Sequence, residues 1–321
     1  MMMRAPLIVI AGPTAVGKSG LAVRLAEKIG GSIISADSMQ VYRGMDIGTA
    51  KISKEDMRSI PHYLLDVADP ADDFTVADYQ PLAETAIREV LNEGRIPILV
   101  GGTGFYIQAV VYGIDFDTDE GTDTKLRKEL SALEKVRGKG YLHQCLEAVD
   151  PVSARLIHPN NTRRIIRALE FYEHTGEPFS EHNRRESEKK ARYRTAFYVL
   201  TDDRKKLYAR IDRRAALMVK EGLVDEVRRL LADGVPYAAQ SMNSLGYKET
   251  VKALRNSEAE LDRKALISEI ALHTRHYAKR QLTWFKREKG AIWFDIGDFT
   301  EGEILTKIRQ DLSMRGITDG R

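Results

Sequence analysis

Gly12-Pro13-Thr14-Ala15-Val16-Gly17-Lys18-Ser19 follows the apolar run Leu7-Ile8-Val9-Ile10-Ala11 and leads into a stretch of helical periodicity. A glycine, four residues, then glycine, lysine and a hydroxyl residue, set between strand and helix, is the phosphate-loop pattern. The two glycines let backbone N–H groups converge on phosphate oxygens at a helix N-terminus, where the helix dipole favours an anion. Lys18 adds a point charge, and Ser19 offers a hydroxyl to a Mg²⁺ ion bridging the same phosphates. Gly12 through Ser19 are thus the expected polyphosphate-binding residues, with Ser19 as the metal ligand. The loop alone leaves open which phosphate compound it holds.

Outward from that loop, further apolar runs read as strands: Ser32 to Ala36, Tyr63 to Val67, Ile96 to Val100, Ala196 to Leu200 and Ile292 to Ile296. Helical patterns lie between most of them, as in Lys18 to Ile29 and Asp78 to Asn92. This alternation predicts an α/β fold, a parallel sheet containing the phosphate loop and covered by helices on both faces. From Gly113 to about Arg194 the strand-like runs stop and several helices are signalled. Asp123 is a candidate cap for a helix to Val136, and Asp150-Pro151 places an N-cap before a first-turn proline. Asn161 or Thr162 starts a helix closed by Gly176, and Glu181 to Arg194 is either an exposed helix or a mobile linker. The expected organisation is a core of residues 1–114 and 195–321, carrying C-terminal helices at Asp203 to Glu221, Leu223 to Ala232 and Leu261 to about Phe285, with an all-helical insertion domain at 115–194.

With 321 residues the chain can bury a large core, and 43% hydrophobic against 30% charged residues is ordinary for a globular protein. No apolar run reaches the roughly 18 residues of a membrane span, so no membrane partner is expected. The N-terminus runs directly into the first strand with no room for a signal peptide, and a cytoplasmic location is the expectation. Cys145, the single cysteine, can form no internal disulfide and reads as a small core hydrophobe. Net charge is only +3, yet residues 163–214 hold 15 Lys/Arg against 9 Asp/Glu. Arg275 to Lys289 is a second basic stretch, interleaved with Tyr277, Trp284 and Phe285. Basic residues among aromatics suit looped or single-stranded nucleic acid, although a solvated helix face has the same composition.

Three further constellations carry chemistry. At the carboxyl end of the second strand, Asp37 is placed to face the ligand crevice, where it can accept a proton or stand behind Mg²⁺; it could equally cap a helix. Ser38 and Gln40 beside it can read a base edge. After the fourth strand comes Gly101-Gly102-Thr103 where a nucleoside triphosphatase would usually carry an acidic Mg²⁺ ligand, which weakens an ATPase reading. The third is Arg210 and Arg214, on one helix face at a spacing that could clamp pyrophosphate oxygens.

Together these segments resemble the tRNA dimethylallyltransferase family, also called tRNA isopentenyltransferases. The resemblance rests on Gly12 to Ser19, on Asp37-Ser38-Met39-Gln40-Val41-Tyr42 continuing to Gly44 through Lys51, on Pro61 to Asp66 and on Gly101-Gly102-Thr103. Further blocks are His158-Pro159-Asn160, Arg163-Arg164, Arg167 to Glu170, Gly222 to Val227, Gly246-Tyr247-Lys248 and Lys279 to Trp284. One cysteine cannot build the zinc-finger extension of some eukaryotic relatives.

The resemblance implies transfer of a dimethylallyl group from dimethylallyl diphosphate to N6 of the adenosine 3′ to the anticodon. Asp37, Thr103 and Arg214 would be catalytic, and the phosphate loop would hold the departing diphosphate with Mg²⁺. A monomer is the separate expectation for the chain. Contacts to tRNA are implied at Asp37, Ser38, Met39 and Gln40, at Arg163, Arg164, Ile165, Ile166 and Arg167, and at Asn243, Ser244, Leu245, Gly246, Tyr247 and Lys248. The helical insertion would meet the anticodon stem-loop. A phosphate-loop nucleotide or small-molecule kinase, an adenylate isopentenyltransferase and a non-catalytic RNA-binding protein are the alternatives.

Overall fold

The computed structural model describes residues 4–114, 124–256 and 261–318. Six strands appear in chain order: β1 (Pro6–Ala11), β2 (Gly31–Ser35), β3 (His62–Tyr63), β4 (Ile96–Gly101), β5 (Arg194–Thr201) and β6 (Ile292–Asp295). They form one sheet in the order β3-β2-β4-β1-β5-β6, every pair parallel. β1 lies between β4 and β5, with Ile8 opposite Ile98 and Ala196, and Ile10 opposite Val100 and Tyr198. Leu7 through Ala11 are all fully buried. Because successive strand residues point to opposite sides, both faces of the sheet are covered at its centre.

The chain divides into two compact units. The sheet unit, residues 1–111 and 192–321, contains α1 (Lys18–Ile29), α2 (Lys54–Met57), α3 (Val76–Asn92) and most of α4 (Gly104–Tyr112). The helical unit, residues 112–191, contains α5 (Thr124–Arg137), α6 (Tyr141–Val149), α7 (Pro151–Leu156), α8 (Thr162–Thr175) and α9 (Phe179–Glu188). The sheet unit resumes with α10 (Arg204–Glu221), α11 (Leu223–Ala232), α12 (Tyr247–Asn256), α13 (Arg263–Phe285) and α14 (Glu301–Met314).

Local chemistry explains most boundaries. α1 turns Leu21, Ala22, Leu25 and Ala26 into the core and stops at Gly30, whose φ of 65° lies in the left-handed region. α3 and α14 open on capping boxes, Thr75 with Asp78 and Thr300 with Glu303. Asp150 caps α7 through the Ser153 N–H, with Pro151 at the first helical position, and Asn161 caps α8.

Some expectations are corrected. The third strand is not Tyr63 to Val67: it pairs only as Ile33 with His62 and Ile34 with Tyr63. Leu64 and Asp66 take φ of 62° and 57°, which turns the backbone out of the sheet. Glu181 to Arg194 is neither wholly helix nor linker; α9 begins at Phe179, whose ring packs on Phe171, and Arg194 already pairs with Pro6 in β5. On α9 Arg184 bridges Glu181 and Glu188, the spacing that stabilises an exposed charged helix. Cys145 is half-buried rather than in the core. Asp123, the expected cap of α5, lies outside the described residues.

Candidate active site

β1 ends at Ala11, and residues 12–17 loop over its carboxyl end before α1 begins at Lys18. Gly12 takes φ +147°, and a side chain there would stand 2.5 Å from the Leu200 carbonyl oxygen of β5. Only glycine lets the chain turn so close to the neighbouring strand. Ala15 adopts φ 63°, left-handed for a residue with a Cβ, a conformation that costs an alanine about 1 kcal/mol. Val16 is not a surface loop residue; it anchors the loop in the core, while Ser19 is exposed in the first turn of α1. Lys18 folds back, its Nζ donating to the Pro13 carbonyl at 2.7 Å. Burial pushes the Lys18 ammonium down to about 8; the Asp37 carboxylate opposes this and Arg214 adds to it.

β2 ends at Ser35, and Ala36 extends its pairing by donating its N–H to the Val100 carbonyl at 2.7 Å. Asp37 follows, and its Oδ1 accepts the Met39 N–H at 2.9 Å. This is an aspartate-closed turn with no helix after it, so the helix-cap alternative for Asp37 is excluded. From the neighbouring β4, the Thr103 N–H donates to the Ala36 carbonyl at 3.2 Å, and its Oγ1 accepts the Ser38 N–H at 3.0 Å.

Arg214 arrives on α10. Its Nη1 donates to Thr14 Oγ1 at 3.4 Å and its Nη2 to the Thr49 carbonyl at 3.5 Å. Burial lowers the guanidinium from its ordinary value, and Asp37 works against that. Arg210, one turn earlier, does not join it. Arg210 pairs instead with the buried Asp202 at 2.9 Å and lines a separate cavity beside Val16 and Gly17. The expectation that the two arginines act as a pair is therefore corrected: only Arg214 lines the cavity that Asp37 lines.

Asp37, Thr14 and Arg214 face one cavity of about 510 Å³. Its lining also takes in Ser38 and Met39 from the Asp37 turn, and Asn243, Ser244, Leu245, Gly246 and Lys248 from the segment before and at the start of α12. Two residues expected beside them turn elsewhere. Tyr247 is fully buried, its hydroxyl donating to Glu226 Oε1 at 2.5 Å. Gln40 spends its amide on its own neighbourhood, accepting from Ser35 Oγ and donating to the Thr49 and Ala50 carbonyls. In the helical unit, Arg163 and Arg164 are exposed on α8, Arg167 meets Glu170, and Ile165 and Ile166 are buried in that unit's own core. The side chains of Ile165 and Ile166 therefore face that core, and Arg163 and Arg164 are the exposed pair of this stretch.

Other residues line or support the site without having been assigned to it from the sequence. α13 sends Ile270, His273, Thr274 and Tyr277 into the cavity wall. Burial, with the Asp37 charge adding to it, pushes the Tyr277 hydroxyl up to about 12, while Thr103 and Gln281 beside it act in the opposite sense. Glu249, buried in α12, accepts the Gly246 N–H at 2.7 Å and meets His273 Nδ1 at 2.6 Å. Glu226 holds the far wall by accepting the N–H groups of Asp46, Ile47 and Gly48 together with the Tyr247 hydroxyl. The signal was present: polar His273, Tyr277 and Gln281 share the inward stripe with Ile270 at helical spacing. The basic and aromatic stretch Arg275 to Lys289, which holds Tyr277 and Gln281, is not an open stacking platform. Phe285 packs on Phe197 in the core, Trp284 edges against Phe105, and Tyr277 lines the cavity.

Among the described residues no cluster of three or more His, Cys, Asp or Glu side chains could hold a metal by protein ligands alone, and no helix is long and apolar enough to cross a membrane.

Residues 40–288 match the family described as IPP transferase. A tRNA dimethylallyltransferase of Lachnoclostridium phytofermentans is 47% identical over 313 residues, which cover 97% of this chain and 99% of that protein. The crystal structure of the full-length tRNA isopentenylpyrophosphate transferase of Bacillus halodurans superposes with a TM-score of 0.70 at 42% identity, covering 98% of each chain. A eukaryotic dimethylallyltransferase, described in crystallographic snapshots of its action on tRNA, gives a TM-score of 0.77 at 29% identity over 91% of this chain and 74% of that one. Near-complete alignment at such identity, on a shared fold, means that the chain belongs to the tRNA dimethylallyltransferase family.

Proposed function

We propose that this protein transfers a dimethylallyl group from dimethylallyl diphosphate to N6 of the adenosine 3′ to the anticodon of tRNA, releasing diphosphate. The observation that carries the reading is the shared cavity in which the Asp37 carboxylate stands with Thr14 of the phosphate loop and Arg214. β4, meanwhile, runs from Val100 into Gly101-Gly102-Thr103 without an acid. A loop that served γ-phosphate chemistry would want that acid to hold its metal. A loop that holds a leaving group needs positive charge and N–H donors aimed where negative charge develops.

In the reaction the adenine N6 lone pair forms a bond to C1 of the dimethylallyl group. The C1–O bond breaks, and its electron pair leaves on the diphosphate. The N6 proton passes to the Asp37 carboxylate, which Oδ1 keeps oriented through the Met39 N–H. Lys18, Arg214 and the N–H groups of residues 15–19 receive the charge on the departing diphosphate. The Thr103 hydroxyl, engaged with Ser38 Oγ at 3.3 Å, can turn its proton to a diphosphate oxygen. The donor set fits Mg²⁺ bound chiefly by diphosphate and water, with the exposed Ser19 hydroxyl as protein ligand, and the ion would supply charge neutralisation there.

An anticodon-loop adenine reaches such a pocket only when turned out of its stack. Asp37 to Met39 and the cavity-facing residues between Asn243 and Lys248 are the contacts nearest the base, and the exposed Arg163 and Arg164 of the helical unit suit the anticodon stem-loop phosphates. The test is mass spectrometry of nucleosides from tRNA incubated with the protein, Mg²⁺ and dimethylallyl diphosphate. A gain of one dimethylallyl group on adenosine is the expected product. ATP consumption with no modified nucleoside would favour the kinase reading instead.

A further inference from the structure

Gln281 of α13 is 5% exposed and stands between two loops that are far apart in sequence. Its Oε1 accepts the Thr14 N–H at 2.9 Å, and its Nε2 donates to the Gly102 carbonyl at 2.9 Å. Only this orientation of the amide satisfies both partners, since one needs an acceptor and the other a donor. The approach is close enough that a Cβ at position 102 would lie 2.2 Å from Nε2. Two consequences follow for the loops. The Thr14 N–H is turned toward α13, so the amides left to meet a phosphate begin at Ala15. Thr14 Oγ1 meets Arg214, and Thr103, next to Gly102, holds Ser38, so Gln281 closes a chain of contacts from Arg214 to the Asp37 turn.

We infer that Gln281 is a positioning residue for the transfer reaction, one that fixes the spacing between the diphosphate grip of residues 12–19 and the Asp37 turn that Thr103 holds. The inference rests on the reading given under Proposed function. Glutamine is the residue this role needs: glutamate would set an oxygen against the Gly102 carbonyl, leucine would leave both loops unpartnered, and asparagine is one methylene too short.

The test compares the unmodified protein with Gln281→Leu and Gln281→Glu in calorimetric titration with inorganic pyrophosphate and Mg²⁺, in steady-state transfer and in thermal melting. Both variants should bind pyrophosphate about tenfold more weakly or worse, the loss expected when buried hydrogen-bonding groups lose their partner. kcat should fall, KM for tRNA should stay within about twofold, and the near-isosteric Gln281→Glu carries the comparison should the leucine variant melt early. Unchanged pyrophosphate affinity in both variants overturns the inference, as does a parallel rise in KM for both substrates with an early melt, which marks general loosening. An unmodified protein that binds pyrophosphate but transfers no dimethylallyl group would sink the proposed function, while weaker binding by the variants would still support the role of Gln281. No pyrophosphate binding by the unmodified protein would overturn both.

Discussion

Thr103 Oγ1 accepts the Ser38 N–H at 3.0 Å across 65 residues of chain, fastening the loop after β4 to the turn that carries Asp37. Thr103→Val keeps the volume and removes the acceptor. Turnover should fall roughly 10- to 100-fold from the misplaced turn and the lost hydroxyl. Initial rates with labelled dimethylallyl diphosphate would measure this, and a rate within twofold of the parent would show that the attachment is dispensable.

Asp37→Asn retains an oxygen for the Met39 N–H and so preserves the turn, but it cannot take the N6 proton. kcat should drop by about 10²- to 10⁴-fold, the usual worth of a general base. Pyrophosphate affinity well below the Lys18 inflection, at about pH 6.5, should change little. Undiminished transfer would remove Asp37 from that role.

Lys18 gives a pH signature. Its ammonium is lowered by burial to about 8, and only the charged form attracts diphosphate. Affinity for pyrophosphate should therefore weaken as pH rises through about 8, and binding near pH 9 should take up a proton because the bound anion pushes Lys18 back toward its ordinary 10.5. Since Asp37 helps keep Lys18 charged, Asp37→Asn should move the inflection to lower pH. Calorimetry in two buffers of different ionisation enthalpy reads the proton uptake directly; affinity flat from about pH 7 to 9.5 would contradict this account.

Arg214→Ala and Arg210→Ala should separate cleanly although the two residues are one turn apart. Loss of Arg214, which reaches Thr14 and Thr49, should raise KM for dimethylallyl diphosphate roughly 10- to 100-fold, with the melting temperature nearly kept. Loss of Arg210 leaves the buried Asp202 without its cation and should cost about 2 kcal/mol of stability, the arginine being a third exposed. Denaturant titration paired with steady-state kinetics would expose the reverse pattern if the assignment were inverted.

Glu226→Ala would strand three backbone N–H groups and the Tyr247 hydroxyl. A stability loss of roughly 3 kcal/mol is expected from so many buried donors without an acceptor. Since Gly48 and Thr49 form part of the cavity wall, transfer should fall along with stability. A melting temperature within a degree of the parent would show the loop to be held by other means.

Features encoded within one turn or one helix were legible in the sequence. Lys18–Ile29 and Leu223–Ala232 emerge at the boundaries their periodicity predicts, and Asp150 and Asn161 cap the helices they were read to cap. α14 was overlooked although Thr300-x-x-Glu303 before Ile304, Leu305 and Ile308 is a readable start signal. The short β3 was misread because nothing in Leu64-Leu65-Asp66 announces two residues at positive φ.

The sequence by itself determined that a loop of the phosphate-binding pattern sits between a buried strand and a helix, and that an aspartate and a threonine follow the strands nearby. Those facts depend on local spacing, which the backbone converts directly into geometry. Only the tertiary structure decided which distant side chains share the cavity. Arg214 met Thr14 and Arg210 met Asp202 although both leave the same helix face, because an offset of about 6 Å along the helix axis sets each beside a different part of the core. The same packing turned the inward polar stripe of α13 into the wall of the site and joined Gln281 to two loops at once.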